Sequence, residues 1–227
     1  MFTSYRLVVV ASVFVTCLIT ANIVVVKQTS LFGIPLPAGV VVFPLSYIFG
    51  DILTEVYGYR VARRVIWLGF VCNLIFVLFA WVAQSLPLLP PAWGLEEQRA
   101  YERILGQTPQ ILVASFLAYL AGEFANSFVL AKLKIVTGGR WLWSRTISST
   151  LVGQGLDSGV FLSLLAVFGV LPAYLLVGIV LAHWLSKTAF EVVATPFTYL
   201  VVNYLKRKEQ LDTFDYDTNF NPLLVRD

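Results

Sequence analysis

Leu7 to Val26 reads LVVVASVFVTCLITANIVVV, twenty residues without a charge. As an α-helix rising about 1.5 Å per residue, the run covers about 30 Å, the hydrocarbon thickness of a bilayer. Arg6 in front and small residues near Ala21 also suit a secretory leader, but the apolar run exceeds the roughly 7 to 15 residues of a leader's core. The stretch is therefore expected to stay as a membrane-spanning helix, and it sets the scale for the rest of the chain.

Five further runs of this kind follow, centred on Pro37 to Tyr57, Val65 to Leu86, Pro109 to Ala131, Thr146 to Phe168 and Ala173 to Leu205. The composition agrees, since 58 % of the 227 residues are hydrophobic and only 13 % charged. That balance excludes a water-soluble globule, and the 17 Phe, 10 Tyr and 6 Trp exclude a disordered chain. The expected fold class is all-α: a polytopic membrane protein with six transmembrane helices in one domain over residues 1–205, followed by a C-terminal tail over 206–227. Pro44 and Pro196 each remove a backbone donor, so the second and sixth helices are expected to kink or unwind there. Cys17 and Cys72 lie inside apolar runs as small hydrophobes, so neither a disulfide framework nor a metal site is expected, and no cofactor.

Six crossings put both termini on one side. With them go the 57–64 and 132–145 loops and twelve of the sixteen Lys and Arg residues, against Lys27, Arg99 and Arg103 on the other side. The positive-inside rule then places both termini in the cytoplasm. Trp67, Trp81, Trp141 and Trp143 fall near helix ends, as rings anchored at the interface do. The outer segment Pro87 to Gln107 is expected to hold a short surface helix. The tail from Glu209 to Asp227, with five acids and little apolar content, is expected to have no fold of its own.

Seven ionisable groups fall within the spans: Asp51, Glu55, Glu123, Asp157, His183, Lys187 and Glu191. Each costs about 2.5 to 3.5 kcal/mol at membrane depth, so such residues normally face a cavity and act on substrate or protons. Residues four apart share a helix face, which aligns Tyr47, Asp51 and Glu55, and separately His183, Lys187 and Glu191. Asn126 lies near Glu123, and Gln154 near Asp157. Blander readings stand beside these: Lys187 and Glu191 as an ion pair within their helix, Glu55 as a solvated end residue near Arg60, His183 as a hydrogen-bonded interior residue. Asp51, Glu123 and Asp157 have no sequence-local cation. The candidate substrate-binding residues are thus Tyr47, Asp51, Glu55, Glu123, Asn126, Gln154, Asp157, Lys187 and Glu191, with Asp51, Glu55 and His183 as candidates for proton coupling. No His-Glu-x-x-His, Gly-x-Ser-x-Gly or phosphate-cradling loop is present, so the chain reads as a small-solute carrier and not an enzyme.

The run FPLSYIFGDILTEVYGY over residues 43–59, with Arg63-Arg64, resembles the queuosine precursor transporter family, also called vitamin uptake transporters. So do Gly122-Glu-Phe-Ala-Asn-Ser127 with Ala131-Lys132, Gly153-Gln-Gly-Leu-Asp-Ser158, and Lys187 through Glu191 to Thr195-Pro196. The resemblance implies a six-helix carrier of the bacterial inner membrane that imports 7-cyano-7-deazaguanine or 7-aminomethyl-7-deazaguanine for transfer RNA modification, binding no nucleic acid itself. It gives the acids a purpose, because one carboxylate can accept both the N1-H and the amino group of a guanine-type edge. On this view Glu123 or Asp157 takes that edge, Asn126 and Gln154 assist, and Asp51 or Glu55 meets the 7-substituent or a coupling proton. Such a carrier is expected to pair as a homodimer in the lipid bilayer.

Three spans in each half give the parity of a 3+3 inverted repeat. Ser46-x3-Gly50-Asp51-x-Leu53-Thr54 can be laid beside Ser149-x3-Gly153-Gln154-x-Leu156-Asp157. Two other readings differ in class. A substrate-binding subunit of an energy-coupling-factor system would dock a partner, for example along Ser12-x3-Thr16-x3-Thr20. An intramembrane aspartyl enzyme would need two acids in contact, and Asp51 lacks the flanking motif such enzymes carry.

Overall fold

The computed structural model describes residues 4–31, 34–87, 94–106 and 109–224. Among the described residues, seven α-helices carry the fold: α1 (Tyr5–Val24), α2 (Gly39–Ile52), α3 (Tyr59–Ser85), α4 (Leu95–Leu105), α5 (Pro109–Val136), α6 (Leu142–Val167) and α7 (Leu176–Glu209). Five helical stretches, containing α1, α3, α5, α6 and α7, are long and apolar enough to cross a membrane. The remaining expected span is α2, which has 14 residues and runs without a gap into a π-helical turn of five, Leu53–Tyr57. Helix α4 is the expected surface helix, with no residue buried; its Tyr101 hydroxyl donates to the Ala80 carbonyl of α3 at 2.8 Å.

Three expectations change. The link between α1 and α2 is an antiparallel hairpin, β1 (Gln28–Leu31) with β2 (Ile34–Pro37), in register Gln28 to Pro37 and Leu31 to Ile34. Pro44 and Pro196 both lie inside continuous helices, so neither unwinds its helix. The irregularity comes instead at the π turn, whose five residues are all buried. There Thr54 returns its hydroxyl to the Gly50 carbonyl at 3.0 Å and lies 3.1 Å from the Ser127 hydroxyl. Side-chain bonding of this kind compensates a distorted ladder where no water reaches it.

The tail is the third change. It has no regular structure after α7, yet it docks. Thr213 N–H donates to the Val56 carbonyl at 3.3 Å, and the buried Asp215 carboxylate accepts from Tyr59 N–H, 3.0 Å away, at the start of α3. Arg63, fully buried, donates to the carbonyls of Asn219 and Asn221 at 2.9 and 2.8 Å, and Trp67 donates to that of Pro222 at 2.8 Å. Low apolar content argued against folding, but here the tail's carbonyls and acids bond to buried cations and to a helix terminus.

The start of α1 and the close of α7 meet at one end of the bundle, where Glu209 accepts from Ser4 at 2.6 Å and from Arg6 at 3.1 Å. Apolar packing fixes the helices. Val10, Phe14 and Leu18 of α1 recur at helical spacing and meet Ile48 and Ile52 of α2, Ile66 of α3, and Val202 and Leu205 of α7. A smaller cluster, Ala114, Leu162 and Leu165, joins α5 to α6 at the other end. Outward-facing Leu78, Phe79, Trp81, Val193 and Leu200 stay exposed, as side chains meeting lipid do. Both cysteines are free thiols.

Candidate functional site

At the end away from the termini a pocket opens among α1, α2, α3, α5, α6 and α7. Asp157, His183 and Lys187 line it, with Phe43, Tyr119 and Phe161 as aromatic walls. Lys187 Nζ donates to Asp157 Oδ2 at 2.6 Å and sits 4.2 Å from the centroid of the Phe43 ring. The blander reading of Lys187 and Glu191 as a pair within one helix gives way to a pair between helices, and Asp157 has a cation after all. His183 is half-buried on the same wall, one turn before Lys187.

Beneath this pocket the other acids are buried. Neither carboxylate oxygen of Glu123 or of Glu191 has a hydrogen-bond partner, and both residues are 1 % exposed. Asp51 accepts from Asn126 Nδ2 at 2.7 Å through one oxygen only. Acceptor oxygens of Asn126 and Gln154 and the Tyr47 hydroxyl are likewise buried without partners. Small residues make this clustering possible. At Gly122 a Cβ would stand 2.7 Å from the Tyr47 hydroxyl and 2.8 Å from Asp157 Cβ, so only glycine lets α2, α5 and α6 converge. At Gly50 a Cβ would stand 3.1 Å from Glu123 Oε2, which places that carboxylate against α2. An interior with this many unsatisfied acceptors can accept donors from water, from a ligand or as protons.

Glu55 is set apart from this group. Its Oε1 accepts from Arg145 Nη2 at 2.8 Å and from Lys206 Nζ at 2.7 Å, with Lys134 Nζ 3.7 Å away. Lys134 and Lys206 also hold Asp212 of the tail, at 2.5 and 2.8 Å, and Lys134 donates to the Glu55 and Thr213 carbonyls at 2.5 and 2.7 Å. Arg145 donates further to Thr137 Oγ1 and to the Arg140 carbonyl. Glu55 is therefore neither a solvated end residue nor a lining of the open pocket; it is the centre of a buried ion cluster that closes the terminal end. Lys134 and Arg145, counted from sequence as loop cations, lie on α5 and α6 and are 1 % exposed. The sequence signal available for them was their separation by one helix-turn-helix, too general to single them out.

Sequence reasoning also missed Asn22 on α1, Asn73 on α3 and Ser115 on α5, all on the pocket wall. A single amide inside a long apolar run carries little signal alone. No group of three or more His, Cys, Asp or Glu residues suited to a metal occurs among the described residues.

The family described as "Putative vitamin uptake transporter" matches residues 37–201. The chain is 31 % identical over 193 residues to the "Probable queuosine precursor transporter" of Bacillus subtilis (strain 168), covering 85 % of this chain and 82 % of the relative. It is 27 % identical over 142 residues to the "Queuosine precursor transporter" of Escherichia coli (strain K12), covering 63 % and 60 % of the two chains. No solved structure matches.

Proposed function

The chain belongs to the vitamin uptake transporter family, and from that membership and the cavity we propose that it imports queuosine precursors across the bacterial inner membrane. The cargo on this reading is 7-cyano-7-deazaguanine or 7-aminomethyl-7-deazaguanine. One observation carries the reading. A pocket open at one end is lined by Asp157 and Lys187; the carboxyls of Glu123, Asp51 and Glu191, which lack full hydrogen bonding, lie buried among the same helices, and beyond them the ion cluster on Glu55 ties α5, α6 and α7 together.

The roles follow from this layering. Asp157 meets the guanine-type edge as Lys187 yields it, and Glu123, one helix-packing layer deeper, takes the same edge as the ligand descends; Asn126 and Gln154 supply amide contacts and Tyr47 a ring to stack upon. Asp51 with Glu191, and His183 on the pocket wall, are the groups assigned to a coupling proton. Glu55 is assigned to closure, not to ligand. With both termini on the cytoplasmic side, the orientation the basic loops favour, the pocket faces outward and the Glu55 end faces inward. Alternating access then requires the Glu55 cluster to part while the outer walls close. The glycines of the two repeat-like segments, Gly50 and Gly153, both abut α5, which suits a hinge of the two halves about that helix.

Equilibrium binding of both 7-deazaguanines to the purified protein, without any partner subunit, tests the reading. Binding of at least one is expected; binding of neither contradicts it.

A further inference from the structure

The pocket has polar groups on two separate walls. One is the Asp157 and Lys187 pair on α6 and α7. The other is an amide pair, in which Asn22 Nδ2 on α1 donates to Asn73 Oδ1 on α3 at 3.2 Å, with Ser115 of α5 beside it. Helix α1 packs mainly on α2 and α3, whereas α6 packs mainly on α5 and α7, so the two walls belong to different helix groups and the pocket reaches from one to the other.

Asn22, Asn73 and Ser115 also line a second, smaller cavity, together with Ile104 and Leu105 of the surface helix α4 and Phe76 and Phe116. The amide pair therefore forms part of the partition between two spaces in an otherwise apolar surround of Leu18, Ala21, Val25, Ile111 and Ala118. Two amides whose sole task was to tie α1 to α3 would gain nothing from standing on a cavity wall. A side-chain amide carries two donors and an oxygen with two lone pairs, and the bond to Asn22 uses only the oxygen of Asn73. The Asn73 amino group thus keeps its donors.

We propose that Asn22 and Asn73 determine specificity by reading the substituent on C7 of the ligand, while the opposite, guanine-type edge is held at Asp157. The inference rests on the carrier function proposed above. A nitrile nitrogen is an acceptor and takes the Asn73 N–H; an aminomethyl ammonium is a donor and takes an amide oxygen. An amide serves both, which a carboxylate or an ammonium at this place does not.

The test compares two ligands on liposomes carrying wild-type protein, Asn22→Ala or Asn73→Ala. Labelled 7-cyano-7-deazaguanine gives KM, and unlabelled 7-deazaguanine, which lacks the substituent, gives a competition constant. Loss of one neutral hydrogen bond is expected to raise KM for the cyano compound about three- to tenfold in Asn73→Ala, and Asn22→Ala, which removes the donor that orients Asn73, is expected to raise it in the same direction by less. Competition by the unsubstituted ring should stay unchanged. Asn73→Ser, which keeps a hydroxyl in the amide's place, should show the same divergence at smaller size and guards against a variant that fails to fold. Equal weakening of both ligands, or no change in either, overturns the assignment of the amides alone. Absence of uptake by the wild-type protein overturns the carrier reading and this inference with it.

Discussion

Lys187 on α7 reaches Asp157 on α6 at 2.6 Å, while Glu191, one turn along its own helix, has no hydrogen-bond partner on either carboxylate oxygen. The cation is spent across the helix boundary. The wall of the open pocket is thereby neutralised, and Glu123, Asp51 and Glu191 below it remain without a cation.

Asp157→Asn strands the Lys187 ammonium, and Lys187→Met strands the carboxylate. The pair is part-buried on the wall of an open pocket, so removing one partner costs less than the roughly 3 to 5 kcal/mol of a fully buried pair, and removing both costs less still. Each single variant should therefore melt below the wild type in detergent, and the double variant should recover most of the loss. Losses that simply add would show that the two side chains do not act as a pair.

Glu123→Gln should behave in the opposite way. Neither carboxylate oxygen holds any group of the protein, so the near-isosteric amide should leave the melting temperature close to that of the wild type. Losing a charge-assisted contact to the ligand should weaken binding about 10- to 100-fold. Unchanged affinity would remove Glu123 from the binding site.

Glu55→Gln leaves Arg145, Lys134 and Lys206 converging on a neutral group. The expected outcome is a destabilised protein, by about 3 to 5 kcal/mol, since two of these cations are themselves buried. A stable Glu55→Gln protein with weakened ligand binding would instead move Glu55 into the ligand site.

Deleting residues 211–227 removes Asp212 and Asp215 and uncovers Arg63 and Lys134, so the truncated protein should melt lower and be cleaved faster by protease near Tyr57 to Tyr59. Docking should also respond to acid. Burial opposes ionisation of Asp212, but hydrogen bonds from Lys134 and Lys206 outweigh it and hold the carboxyl below its ordinary 3.8. A carboxyl lowered on folding stabilises the folded state above its ordinary value and loses that contribution as pH falls through the folded one. Tail protection from protease should thus be full above about pH 4 and decline below it. Protection that stayed unchanged as pH fell well below about 4 would contradict the ion pairing.

Much of this was legible in the sequence. Charge-free runs of bilayer length located the helices, and rarity at membrane depth singled out Asp51, Glu123 and Asp157, all of which lie inside the bundle. Partnership was not legible, because it is decided between helices. Lys187 had an acid four residues away in Glu191 and another thirty away in Asp157, and only the packing of α6 on α7 selects the second. The same holds for Glu55, whose cations come from α5, α6 and α7. The tail's docking was hidden for a different reason: its bonds run largely through backbone carbonyls, which every sequence has.

The most direct measurement is uptake of labelled 7-cyano- and 7-aminomethyl-7-deazaguanine into liposomes containing only this purified protein, without ATP, with and without an inward pH gradient. Accumulation above protein-free liposomes, increased by the gradient, is the predicted result. Tight binding without uptake would contradict a self-sufficient carrier and point to a binding subunit that needs an energising partner.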